Sequence, residues 1–375
     1  LHYGKAAPII LEYIERVHEN AEQNGCHPTC FATPLELGLN PDLAVELFGY
    51  FDRALEAAES AVVRNRVEKI SISAYRTMLE AGSSFRVKNG RLKRVFPEGY
   101  EDVVEKYIAL CRKHGMTMPD ERTRFEAFEK VLKRDYVDGI PVAVIENDTW
   151  RIVFVPEHNG KAVEMRHKPS DLNLVNAYRN NLRFGAFEEW TEKDPDHNAE
   201  PHRFEAEVKG ASVVLRRKFE DGSEYARTVS LDDGTIRCET AITHRGDAPK
   251  AYRIIVHPEL DAGTRKHDSE ILKCYVKRDG KWVQYNRGLV RDEGPDVHLL
   301  LETVDGGAHA FFNTEAKYGL LQTYEEDRVE KLRTWWMPEY RQINLELQTR
   351  EMELKKNETF SFRYTFRFMG VNPGS

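Results

Sequence analysis

The sequence predicts an α+β chain in two parts: an α-helical bundle over residues 1–140, then a large antiparallel β sandwich over 141–375. Three observations predict it. Apolar residues recur at three- and four-residue steps up to about residue 140, the period then changes to two, and Asp-Gly or Asn-Gly pairs at 159, 221, 233, 279 and 305 punctuate the second part. At 375 residues the chain is also too long for one ordinary core.

The helices follow in order. In "AAPIILEYIERVHEN" the residues Ala6, Ile9, Ile10, Tyr13, Ile14 and Val17 form one face of a helix. Asn40 as N-cap and Pro41 in the first helical position announce a second, with Leu43, Leu47, Phe48, Phe51 and Leu55 as its stripe. Val63, Val67, Ile70, Ala74 and Met78 mark a third. Residues 100–114 and 120–136 supply two more, the last starting at Asp120 with Phe125, Phe128, Val131 and Leu132 inward. Gly139 and Pro141 in "DYVDGIPVA" punctuate the end of this part. The runs "TWRIVFVPEHNGKAVEM", "ASVVLRRKFEDGSEYARTVSLDDGTIRCETAI", "HAFFNTEAKYGLLQTY", "QINLELQ" and "TFSFRYTFRF" then alternate as strands, reversed by turns that permit positive φ.

Charge excludes one class of partner. Residues 1–140 carry 20 Lys+Arg against 22 Asp+Glu and the remainder 35 against 40, so a polyanion meets no basic field and nucleic acid is not expected. No apolar run is long enough to span a bilayer. The chain starts with leucine and reads as a fragment or processed product. Its five cysteines are widely spaced and odd in number, which argues against a disulfide framework. Cys26, His27 and Cys30 have no second ligand pair nearby, so they read as loop residues, and neither metal nor cofactor is expected.

All five tryptophans, Trp150, Trp190, Trp282, Trp335 and Trp336, lie in the β part. Aromatic faces suit the C–H faces of pyranose rings, and core packing is the competing use. Trp335 and Trp336 are adjacent on a strand, so only one of them can point inward. Glu346 in "NLELQ" faces away from Leu345 and Leu347.

The segment "VHPELDAG" resembles the histidine segment of the aldose 1-epimerases, the galactose mutarotases; "INLELQT" resembles their Leu-Glu-x-Gln strand, and "LKKNETFSFRYTFRF" their closing turn and strand. "AITHRGDAP" is similar to the strand and turn before the histidine in such domains. The resemblance implies a galactose mutarotase-like β-supersandwich, with His257 in the general-acid position and Glu346 in the general-base position. Opening a hemiacetal needs both functions, and imidazole and carboxylate supply them near neutral pH. Glu259 stands where that family has an aromatic residue, and its Gly-Arg-x-x-Asn-Arg sugar segment is echoed only by Asn181 and Arg183 in "NNLRFGAF".

The stretches "YGKAAPIILEYIERVHEN", "LNPDLAVELFGYFDRALEAAE" and "RNRVEKISISAYRTML" resemble helices that follow the catalytic barrel in large bacterial proteins related to α-glucuronidases and β-hexosaminidases. Together the resemblances imply the C-terminal accessory portion of a glycoside-hydrolase-like protein, partnered by an upstream barrel and exported if the parent degrades polysaccharide. Carbohydrate would be contacted near His257, Glu346, Asn181, Arg183, Glu259, Trp335 and Trp336. The alternatives are an active aldose 1-epimerase using His257 and Glu346, and a purely structural module. The first two differ in whether His257 and Glu346 approach one sugar-sized space from opposite sides.

Overall fold

A computed structural model describes residues 2–25, 37–119, 123–180, 182, 184–191, 202–288, 290–291, 297–301 and 306–374. The chain divides into two compact units, Leu1–Ile140 and Pro141–Ser375. Asp120, the loop residues Cys26, His27 and Cys30, and the expected sugar contacts Asn181 and Arg183 lie outside the described residues.

Among its described residues the first unit has five helices: α1 (Ala7–Gln23), α2 (Pro41–Glu56), α3 (Ala61–Glu80), α4 (Val103–Lys113) and α5 (Phe125–Leu132). Helix α2 starts as its sequence directs: Asn40 is extended, its Oδ1 accepts from the Leu43 N–H at 2.9 Å, and Pro41 occupies the first helical position. Leu43, Leu47 and Phe48 meet Met78 of α3 and Val104, Tyr107 and Cys111 of α4 in one apolar cluster. Phe51, Val63, Val67 and Ala74 join Ala6 and Ile10 in a second.

The helical reading needs three corrections. The last helix begins at Phe125 rather than Asp120, without a side-chain cap, and leaves Val131 exposed; from Lys133 to Asp138 it widens into a π turn. Ile14 of α1 is 40% exposed, because it sits at the margin of the stripe centred on Ile10 and Val17. The unit also contains a hairpin, Ser84–Lys88 with Arg91–Val95, between the third and fourth helices, where the bundle reading named no strand. Its turn is Asn89-Gly90, both residues at positive φ (52° and 69°). That pair is the strongest short-range hairpin signal a sequence carries.

Among its described residues the second unit carries a nine-stranded antiparallel sheet ordered Lys281–Gln284, Leu272–Arg278, Ala308–Asn313, Tyr318–Tyr324, Thr359–Met369, Thr235–Thr243, Glu224–Asp232, Ser212–Lys218 and Glu205–Lys209. A six-stranded sheet contains Val297–Leu301, Val329–Met337, Gln342–Thr349, Ile254–His257 and Glu188–Thr191, with Glu259–Asp261 also pairing to Gln342–Thr349. A four-stranded sheet begins at Ala143. Asn159, Asp233 and Asp279 have positive φ, as the turn pairs predict.

The two large sheets face each other. From the six-stranded sheet Glu189 reaches across and accepts from the hydroxyls of Tyr225 (2.5 Å), Thr240 (2.7 Å) and Tyr364 (2.7 Å) of the nine-stranded sheet. Ile343, Leu345 and Leu347 alternate into the interior with Val256 and Trp336, all at most 1% exposed. Each fully buried side chain of this kind contributes about 1.5–3 kcal/mol. The α+β expectation, helices first and a large antiparallel sandwich second, is what the chain forms.

Candidate functional site

The alternation that sends Leu345 and Leu347 inward turns Gln342, Asn344 and Glu346 to the other face of the six-stranded sheet. Register then sets charge beside charge. His257 pairs with Glu188 on one side; on the other, the register Ile255↔Gln348 and Val256↔Leu347 continues to place it opposite Glu346, which itself pairs with Arg333. The result is a row across four strands, Glu188, His257, Glu346 and Arg333, alternating in sign. Glu188, His257 and Glu346 are buried at 7%, 4% and 4% exposure, while Arg333 at the end of the row is exposed.

His257 Nδ1 stands 2.7 Å from Glu346 Oε1, off the ring's N–H direction, making the contact an ion pair rather than an aligned hydrogen bond. Arg333 Nη1 lies 3.7 Å from the other oxygen of Glu346. On the far side of the ring, Nε2 is 3.7 Å from Glu259 Oε1 and 3.1 Å from Asn344 Nδ2. The carboxylate of Glu259 is the acceptor on that side, while Asn344 is oriented by its own Oδ1, which accepts from Gln342 Nε2 at 2.8 Å. The ring stacks on Trp190 at 4.1 Å between centroids. Burial by itself would push the pKa of His257 down; Glu259 and Glu346 outweigh it and hold the ring up at about 10.

Glu259 is fixed by two donors: Gly185 N–H at 2.9 Å to Oε2 and Gln342 Nε2 at 3.3 Å to Oε1. Gly185 is required where it stands, since a Cβ there would sit 2.6 Å from Lys161 Cδ. Lys161, 2% exposed, has its pKa depressed by burial, with Glu188 and Glu259 opposing. Burial would raise the Glu188 carboxyl, but Lys161, His257 and the Asn159 amide, 2.7 Å away, bring it below its usual value.

The expected site residues therefore separate. His257, Glu346 and Glu259 share one cluster, and Trp335, paired with Asn344, is on the same face. Trp336 is corrected to the interior: it is 1% exposed and paired with Ile343, because adjacent strand residues face opposite ways. Sequence reasoning missed Glu188, Asn344, Gln342, Arg333 and Lys161, and weighed Trp190 only as one of five tryptophans. Alternation in "QINLEL" carried the signal for Gln342 and Asn344; Glu188 and Lys161 reach the cluster only through strand register and packing.

Chemically the cluster can hold hydroxyl groups, but its acid and base touch each other. Sugar-ring opening needs them on opposite sides of the ring, and a 2.7 Å contact leaves no room between them. An imidazole held near pH 10 is also a weak proton donor at neutral pH. Among the described residues no group of three or more His, Cys, Asp or Glu side chains is placed to hold a metal ion, and no helix is long and apolar enough to cross a membrane.

No family model matches the chain, and no curated protein does. Among solved structures it is similar to a protein from Synechocystis at 12% identity, covering 62% of this chain and 96% of that one with a TM-score of 0.48. It is similar to a galactose mutarotase-like protein from Lactobacillus casei at 11% identity, covering 60% and 99%, TM-score 0.47. A galactose mutarotase-like protein from Clostridium acetobutylicum stands at 9% identity, covering 62% and 96%, TM-score 0.47. With scores under 0.5, none of these bears on activity.

Proposed function

We propose that the β unit recognises a carbohydrate through the polar face around His257 without interconverting its anomers, as an accessory portion of a larger carbohydrate-active protein with an upstream catalytic barrel. The observation that carries this is the direct His257–Glu346 contact at 2.7 Å within the row Glu188, His257, Glu346 and Arg333. Side chains locked in mutual pairs present fixed lone pairs and N–H groups, which suits hydroxyl recognition, while the row's internal charge balance favours a neutral sugar over an anionic one. Trp335 adds an aromatic face on the same side of the sheet.

The test is anomer interconversion of freshly dissolved α-glucose and α-galactose followed by NMR, alongside titration of the isotope-labelled chain with oligosaccharides. No acceleration, with shifts at the Trp335 and Trp190 indoles that are lost in Glu346→Gln, is the expected result. Acceleration abolished by Glu346→Gln would establish an epimerase instead. Neither acceleration nor shifts would leave a purely structural module.

A further inference from the structure

A second buried histidine lies between the sheets. His309, 0% exposed, is on the Ala308–Asn313 strand, and Gln322, also 0% exposed, stands directly opposite it on Tyr318–Tyr324. The row Val276, His309, Gln322 and Phe366 runs across the nine-stranded sheet. One side of the imidazole is well partnered: Nε2 is 2.6 Å from the Tyr285 hydroxyl and 3.1 Å from Thr334 Oγ1, the latter on the facing sheet. The Tyr285 and Thr334 hydroxyls are themselves bonded.

The other side of the ring is different. His309 Nδ1 and both amide atoms of Gln322, Nε2 and Oε1, are buried without a hydrogen-bond partner among the described residues. Three such atoms on two abutting side chains make a strong physical demand. An unsatisfied buried donor or acceptor costs about 1–3 kcal/mol, and native interiors leave few of them. Directly opposed side chains on antiparallel strands have Cβ atoms roughly 4.5–5.5 Å apart, so one group can reach both. The occupant must accept from an amide N–H₂, donate to an amide oxygen, and either donate to or accept from an imidazole nitrogen whose tautomer follows the Tyr285 and Thr334 hydroxyls. Few chemical groups do all three at once.

We infer that His309 and Gln322 form a binding site for at least one ordered internal water, bridging His309 Nδ1 to the Gln322 amide. The water completes a polar chain from Gln322 through His309 to Tyr285 and Thr334, and thereby links the nine-stranded sheet to the six-stranded one. Water fits because it is both donor and acceptor and the site offers it three partners, within the two to four that internal waters use. The site lies between the sheets, whereas His257 is on the opposite face of the six-stranded sheet, and the inference stands independently of carbohydrate recognition.

A high-resolution crystal structure of the whole chain tests it, together with oxygen-17 relaxation dispersion to count long-lived waters in solution. Expected is a solvent peak within about 3 Å of both Nδ1 and the Gln322 amide, and one fewer long-lived water in Gln322→Met and in His309→Phe. A direct His309–Gln322 hydrogen bond, or a side chain filling the gap, with an unchanged water count, would overturn it. So would density larger than water matched by extra mass in native mass spectrometry, which would make the occupant a small organic molecule. Should both variants fail to fold, the wild-type crystal structure decides alone.

Discussion

His257 and His309 are equally hidden from solvent and behave in opposite ways. His309 has hydroxyl partners, Tyr285 and Thr334, and burial pushes its pKa down to about 3. Burial pulls His257 the same way, but Glu259 and Glu346 hold it at about 10. Desolvation penalises the charged ring in both places; two carboxylates reverse the outcome in one. A buried histidine thus reports the charge of its neighbours more than its depth.

The largest effect expected is from Glu346→Ala, which leaves His257 and Arg333 without their shared carboxylate. Breaking a buried pair costs roughly 3–5 kcal/mol. Urea unfolding should show that loss, and NMR titration should find the His257 pKa fallen from about 10. An unchanged pKa would mean that Glu259 alone sets the charge of the ring.

Next is His257→Gln. A histidine raised in the folded state stabilises fully below its unfolded pKa of about 6.5 and loses that contribution as pH rises through its folded value. Wild-type stability should therefore decline between pH 6.5 and about 10. The variant should be less stable at neutral pH by about 2 kcal/mol and lack this decline. A wild-type curve flat across that window would remove the charge from His257 and the contrast with His309.

His309→Gln acts at the other end of the scale. Its ring is neutral when folded and protonates more readily when unfolded, so wild type loses stability as pH falls from about 6.5 toward 3. The variant should lose less over that range, by about 1–2 kcal/mol, in thermal melts at successive pH values. The smallest change expected is from Trp190→Leu, which removes the stacked ring beside the imidazolium. About 1 kcal/mol and a modest fall in the His257 pKa should follow, measured by the same NMR titration.

Much of the fold was legible because it repeats along the chain. The stripe Leu43, Leu47, Phe48 and Phe51, the Asn40 cap and the alternation through Leu345, Glu346 and Leu347 are each local periodic signals, and the structure carries all of them. The Asn89-Gly90 hairpin was equally written in the sequence, but the helical period around it masked the turn. The cluster around His257 was legible only in part. His257 and Glu346 are 89 positions apart, and nothing in either segment states that they face each other in contact rather than across a ligand.

By itself the sequence determined the change from helices to strands near residue 140, most of the helices and the apolar side of strands such as Gln342–Thr349, because periodicity needs only neighbours in the chain. It could not separate "RIIVHP" from "AHAFFN", two strand histidines with similar apolar neighbours. Only the tertiary structure decided that one lies among three carboxylates and the other among hydroxyls and an amide. The physical reason is that a buried pKa depends on charges a few ångströms away, and strand register, which pairs residues far apart in sequence, chooses those charges.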